Sequence, residues 1–213
     1  AILADGCAIE LKRGRDKAAG RAFSITADSG RRIEGRVPAY AMPAVKNAAG
    51  YFAANDMDLV DLFVGAEGTL GIVTELELRL VPMPDSMWGV TAFFPAEAAA
   101  VQFVRTVRAL DPLPVALEFF DHGALDLLRR QRETNPAFRE IAEMPAAWHT
   151  AVYVEYHGDS EDVVEDAVMR MSEAMTDSGG DADATWILTG ERELERLKTF
   201  RHAVPEAVNL LID

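Results

Sequence analysis

Cysteine is nearly missing: Cys7 stands alone among 213 residues, which excludes an intramolecular disulfide framework and a cysteine-built zinc cluster. Histidine is sparse too. His122, His149, His157 and His202 form no His-x-x-x-His pair, so no metal site is expected, and only His202 is of interest, for its neighbour Arg201. No apolar run approaches the ~20 residues that a membrane helix needs. The first residues, AILADGCAIELKRGRDK, lack the basic start and apolar middle of a secretory leader; with the lone cysteine this points to a cytoplasmic setting. Basic side chains are in deficit, with 21 Lys and Arg against 35 Asp and Glu and a formal charge of -14. That field repels phosphate backbones and anionic membranes, so nucleic acid is not an expected partner. No Ser/His/Asp or Cys/His grouping for nucleophilic catalysis is present.

What is there suits a globular protein: 49% of residues are hydrophobic and 26% charged, enough for a core without metal or disulfide support. The chain starts on Ala1 in what reads as mid-strand, as expected of a piece of a longer protein. Over 1–40, short β-type runs (AILA, CAIEL, AFSIT, RRIEGRV) are separated by turns at Asp5-Gly6, Arg13-Gly14 and Ser29-Gly30. DLVDLFVG, from Asp58, reads as an apolar strand. LGIVTELELRLVP reads as a second, half-packed one, with Ile72, Leu76, Leu78 and Leu80 on one face and Glu75, Glu77 and Arg79 on the other.

Pro82-Met83-Pro84 then breaks the pattern and divides the chain into regions 1–84 and 85–213. Beyond it strands (MWGVTAFF, PVALEFFD, WHTAVYVEYHGD, TWIL) alternate with helices (AEAAAVQFVRTVRAL, HGALDLLRRQRE, DSEDVVEDAVMRMSEAM, ERELERLKTFRHAV), an α+β layer with helices packed on one sheet. In the third helix Asp159 or Ser160 can cap, and Val163, Val164, Ala167, Val168, Met171 and Met175 form the inward stripe. In the last, Leu194, Leu197, Val204 and Val208 form a stripe that also carries Arg201, and a kink or restart is expected at Pro205.

Two loops could carry chemistry. Gly65, Gly68 and Gly71 fall within seven residues; they let main chain approach a ligand closely, or they mark a glycine-rich hairpin with a bulge. No Gly-Lys-Ser/Thr follows and no helix opens there, which excludes a Walker loop and a dinucleotide fingerprint. Lys46, Asn47 and Tyr51 put a cation, an amide and a phenol beside Gly50 in a second loop. Arg201, on an apolar stripe, needs an anion or must reach outward. One reading makes it a structural partner of an acid such as Glu206.

The order VKNAAGY, then DLVDLFVGAEGTLGIVTELELRLVPMP, resembles the second half of the flavin-binding domain in FAD-linked oxidases of the vanillyl-alcohol oxidase (PCMH) type. Within them it is most similar to the glycolate oxidase D subunit and D-lactate dehydrogenase group. ALEFFD, VYVEYHGD and the Arg-x-x-x-Pro-Glu run resemble that group's substrate-covering cap. The resemblance implies a partial, mostly β FAD-binding subdomain over 1–84 and a partial ferredoxin-like α+β cap over 85–213. It implies FAD in the intact parent, contacted by Lys46, Asn47, Gly50, Tyr51, Glu67, Gly68, Thr69, Leu70, Gly71 and Ile72. It also implies oxidation of a 2-hydroxy acid such as D-lactate or glycolate, with Arg201 on the substrate carboxylate. The family's first flavin subdomain and its histidine-rich segment have no counterpart here, so no general base is named and this chain alone is expected to hold FAD weakly or not at all. The alternative is a cofactor-free interaction module that keeps the fold without catalysis. No residue pattern names an electron acceptor or an oligomeric state.

Overall fold

Turns, not strands, organise the first eighty residues. The computed structural model describes residues 1–45, 47, 49–139, 141–144 and 146–210, the side chains of 191–198 apart, and the chain divides into two units, Ala1–Leu80 and Val81–Asp213. In the first unit, β1 (Ala22–Thr26) and β2 (Arg32–Arg36) make one antiparallel hairpin in the register Ala22↔Arg36 to Thr26↔Arg32. The other expected strands are reduced to isolated bridges, Ile2 with Ala8 and with Ile72, and Lys17 with Asp58. Ile9, Ile25, Val37, Met57, Leu59 and Leu62 form a small core, and half-buried Cys7 packs against it.

Two strand expectations fail in this unit. DLVDLFVG forms a 3-10 turn at Leu59–Leu62, begun by Asp58, whose carboxylate accepts from the Val60 N–H at 3.4 Å. Leu59 and Leu62 are buried three residues apart, a helical spacing that a short apolar run conceals. LGIVTELELRLVP does not become a packed strand. Among the described residues only Ile72 of this segment is paired, exchanging two backbone hydrogen bonds of 2.8 Å with Ile2, while Leu76 and Leu78 are each 70% exposed and Leu80 is 84% exposed. Alternation places side chains on two faces, but a strand needs a neighbour for its N–H and C=O groups.

The second unit has what the first lacks. β3 (Ser86–Phe94) and β5 (Thr150–Gly158) pair antiparallel over their full lengths, β4 (Ala116–Phe120) flanks β5 and β6 (Trp186–Thr189) flanks β3, in the order β4-β5-β3-β6. The pleat sends Val90, Ala92, Phe94, Val152, Val154 and Tyr156 to one face, against α1 (Glu97–Val107) and α3 (Glu161–Asp177). Phe93, Ala151 and Tyr153 go to the other, against α2 (His122–Thr134) and α4 (Glu191–Asn209). The four strands with α1 and α3 make a ferredoxin-like split βαβ arrangement. α2 and α4 add a second layer, so helices cover both faces of the sheet. That is why β3 and β5 read as nearly continuous apolar runs.

Helix details also differ from the sequence expectations. Asp121 caps α2, accepting from the Ala124 N–H at 2.8 Å. Ser160 stands at the N-cap of α3 without a side-chain cap bond, and Val163 lies half-exposed off the stripe. α4 continues through Pro205 to Asn209 without a break. Its buried side is Phe200, Ala203 and Ala207, with Val204 partly covered, whereas Val208 is exposed; the side chains of Leu194 and Leu197 lie outside the described residues.

Candidate functional site

In the first unit the two sequence motifs meet. The Thr69 hydroxyl donates to the Ala66 carbonyl at 2.6 Å, so the Tyr51 hydroxyl, 2.7 Å away, donates to Thr69. This bond ties the Lys46–Tyr51 loop to the glycine loop; Lys46 itself lies outside the described residues. Asn47 forms a local turn, its Oδ1 accepting from the Ala49 N–H at 3.0 Å, and Gly50 turns at φ +74°. Glu67 holds φ 50° without being glycine, a conformation L residues adopt at some cost. Among the described residues, the backbone N–H groups of Glu67, Gly68, Leu70 and Gly71 meet no acceptor. A Cβ built on Gly68 would enter open space.

Gly71 differs. A Cβ there would stand 2.6 Å from the Ile2 carbonyl oxygen, so this glycine is required by the Ile2–Ile72 bridge, an intramolecular contact. Ile72 directs an exposed side chain outward, and Leu70 packs partly against the unit's core. Gly68 and its neighbours, with unpaired N–H donors and room above them, fit the acceptor-rich phosphates and ring edge of FAD.

In the second unit, Arg201 is the centre of a polar cluster on the sheet face covered by α2 and α4. Phe200, one residue earlier, packs on Phe120 and Trp186 with ring centroids 4.9 and 5.6 Å away, which fixes the helix against the sheet and presents Arg201 to β4 and β5. Its Nε donates to Glu118 Oε2 at 2.9 Å and its second fork nitrogen, Nη2, to Glu118 Oε1. Nη1 lies 3.7 Å from Glu155 Oε2, and the guanidinium carbon stands 4.8 Å over the Tyr153 ring. Of the acids that sequence reading allowed, Glu206, its named example, is exposed, and the acids that meet Arg201 are Glu118 and Glu155.

Glu155 is 8% exposed and satisfied on both oxygens, by the Tyr153 hydroxyl on Oε2 and by His157 Nε2 on Oε1 at 2.6 Å. Burial opposes its ionisation, but the hydrogen bonds from Tyr153 and His157 and the positive charges of His157 and Arg201 outweigh that and hold its pKa below the ordinary carboxylate value. Burial, then the bond to Glu155 and its charge, push the Tyr153 phenol up, so it remains a donor. The bond to Glu118 leads the effects that raise Arg201. Sequence reading passed over Glu118, Tyr153, Glu155 and His157. The available signal was the period of two that sets Tyr153, Glu155 and His157, three polar groups, on one face of an otherwise apolar strand.

Residues 84–212 match the model of the C-terminal domain of FAD linked oxidases. The chain belongs to that family. Similar proteins include a probable mitochondrial D-lactate dehydrogenase of Danio rerio, 33% identical over 74% of this chain, and glycolate oxidase subunit GlcD of Bacillus subtilis (strain 168), 33% identical over 70%. A solved alkyldihydroxyacetonephosphate synthase superposes on 81% of this chain and 28% of its own length, with a TM-score of 0.41 and 16% identity. This FAD-linked oxidase chain spans 28% of the length of either of the first two relatives. Among its described residues, no helix is long and apolar enough to cross a membrane.

Proposed function

We propose that this chain is part of an FAD-dependent oxidoreductase acting on a small 2-hydroxy acid such as D-lactate or glycolate, with Arg201 receiving the substrate carboxylate. One observation carries the reading: the Arg201 fork already holds a carboxylate side-on, that of Glu118, in a groove of about 600 Å³ that both residues line. A planar fork with two parallel donors is the recognition unit for such a group. The names of the D-lactate dehydrogenase and glycolate oxidase relatives support the substrate class.

In the intact parent, the N–H groups of Glu67, Gly68, Leu70 and Gly71, with Tyr51 and Thr69 bracing the loop, would hold FAD. The chemistry that FAD supplies is acceptance of two electrons from the 2-hydroxy acid. Arg201 neutralises and orients the carboxylate; Tyr153 and Glu155 fix the guanidinium from below.

Arg201→Lys in the full-length parent tests this. It keeps the charge and loses the two-pronged geometry, so kcat/KM for a 2-hydroxy acid should fall roughly thirtyfold to several thousandfold. If Arg201 serves only the fold through its ion pairs, the same change lowers Tm and leaves kcat/KM of the folded enzyme nearly intact.

A further inference from the structure

The two carboxylates on Arg201 are not equivalent. Glu155 lies in the centre of the sheet with an 11% exposed side chain and both oxygens engaged. Glu118 lies on the outermost strand β4, its side chain is 38% exposed, and Arg201 is its one partner among the described residues. Yet Glu118 takes the better position, the Nε–Nη2 edge of the fork, whereas Glu155 meets only Nη1 from 3.7 Å. A carboxylate ligand recognised by two parallel bonds needs the edge that Glu118 occupies. Joining the cluster without displacing Glu118 would gather three carboxylates around one guanidinium, and carboxylates crowded in one site cannot all stay ionised at low cost.

We propose that Glu118 is an exchangeable internal counter-ion: it occupies the ligand's place on Arg201 in the empty site and leaves when a carboxylate ligand binds, while Glu155 remains as the fixed partner. The inference rests on the reading of Arg201 as a carboxylate receptor. The groove lined by Phe119, Asp121, Ala124 and Val204 gives the displaced side chain a solvated place to go. Exchange of one carboxylate for another keeps the charge of the cluster constant, so Arg201 is neutralised before, during and after binding. It also makes Glu118 a determinant of affinity, because every ligand competes with a group already in place. Anything that weakens Glu118 as a ligand should tighten binding of the substrate class.

The experiment is a titration of the full 213-residue chain with oxalate and with D-lactate, followed by the NMR signal of the Arg201 Nε–H and by calorimetry. Glu118→Gln keeps the size of the side chain and removes its charge. It should tighten binding about tenfold or more over the unmodified chain, the scale of one charge-assisted hydrogen bond. Glu118→Asp, which keeps the charge and shortens the reach, should tighten it less and provides a second reading if the glutamine variant folds poorly. Arg201→Lys, which has no Nε–H to follow, should abolish the heat of binding in calorimetry. Unchanged or weaker binding in both Glu118 variants, with Arg201→Lys still abolishing it, overturns the exchange and leaves the carboxylate receptor standing. Binding that survives Arg201→Lys undamaged overturns the receptor reading itself, and absence of binding in Glu118→Gln overturns the exchange.

Discussion

The segment Ile72–Val81 and the strand β5 carry similar alternating sequences, and they end in opposite states. In β5 every residue from Thr150 to Tyr156 is buried, with β3 on one edge, β4 on the other and helices on both faces. In the other segment the apolar members Leu76, Leu78, Leu80 and Val81 are 70% exposed or more, and among the described residues no backbone partner follows Ile72. The amino-acid pattern is permissive for a strand in both places. Neighbours on both edges and a covering layer convert the pattern into structure in one of them.

Hydrogen exchange should give the widest contrast. Amides in the centre of β3 and β5 can open only with the second unit's core, so they should exchange at least about 10⁴-fold more slowly than unstructured peptide. Amides of Val73–Val81 should exchange within about tenfold of it. Mass spectrometry of peptic fragments resolves the two regions, and protection of Val73–Val81 comparable to that of β5 would break the comparison.

Within the first unit the contrast sharpens at two glycines. Gly71→Val places a branched side chain against the Ile2 carbonyl and should destabilise that unit by about 1–3 kcal/mol, as forced overpacking does. Gly68→Val meets open space, so its structural cost is the strain of φ +76°, of order 1 kcal/mol. In the flavin-loaded parent the order should reverse in one respect: Gly68→Val should lose flavin while the protein stays folded. Thermal unfolding of both variants and flavin absorbance of the parent measure this. Normal flavin content in folded Gly68→Val would make the loop a plain turn.

Sequence reading found the second unit's strands and helices because its helices are long and periodic and its strands are apolar runs between them. It did not assign each helix to a face of the sheet, because the apolar stripes of α2 and α4 look alike whichever face they cover. It found the glycine loop and Tyr51 but could not know that a hydrogen bond from Tyr51 to Thr69 joins them, nor that Gly71 answers to Ile2, since both depend on contacts 18 or more residues apart. Arg201 was legible because a charge on an apolar stripe is costly. Its partners were not, since Glu118 is 83 residues away and the nearest acid in sequence, Glu206, faces solvent.

The pH-dependent part of the last effect, at Glu155, is the smallest expected change, and it distinguishes the polar centre of the second unit from its apolar surroundings. Its pKa in the folded chain lies below the ordinary value of 4.5, so the unfolded chain binds the proton more readily than the folded one. The stability this contributes is fully present above about pH 4.5 and is lost as pH falls from there through the lower, folded value. The groups facing it do not reverse that sign: Arg201 keeps its charge and Tyr153 keeps its proton across this range. Glu155→Gln removes the titration. It should cost about 1–3 kcal/mol at pH 7, the price of mismatched hydrogen bonds to Tyr153, His157 and Arg201, and this cost should shrink below pH 4.5 as the unmodified protein loses its advantage. Urea unfolding of both proteins between pH 3 and 7 measures the difference; a constant gap across that range would mean that another carboxylate governs the acid limb of the second unit.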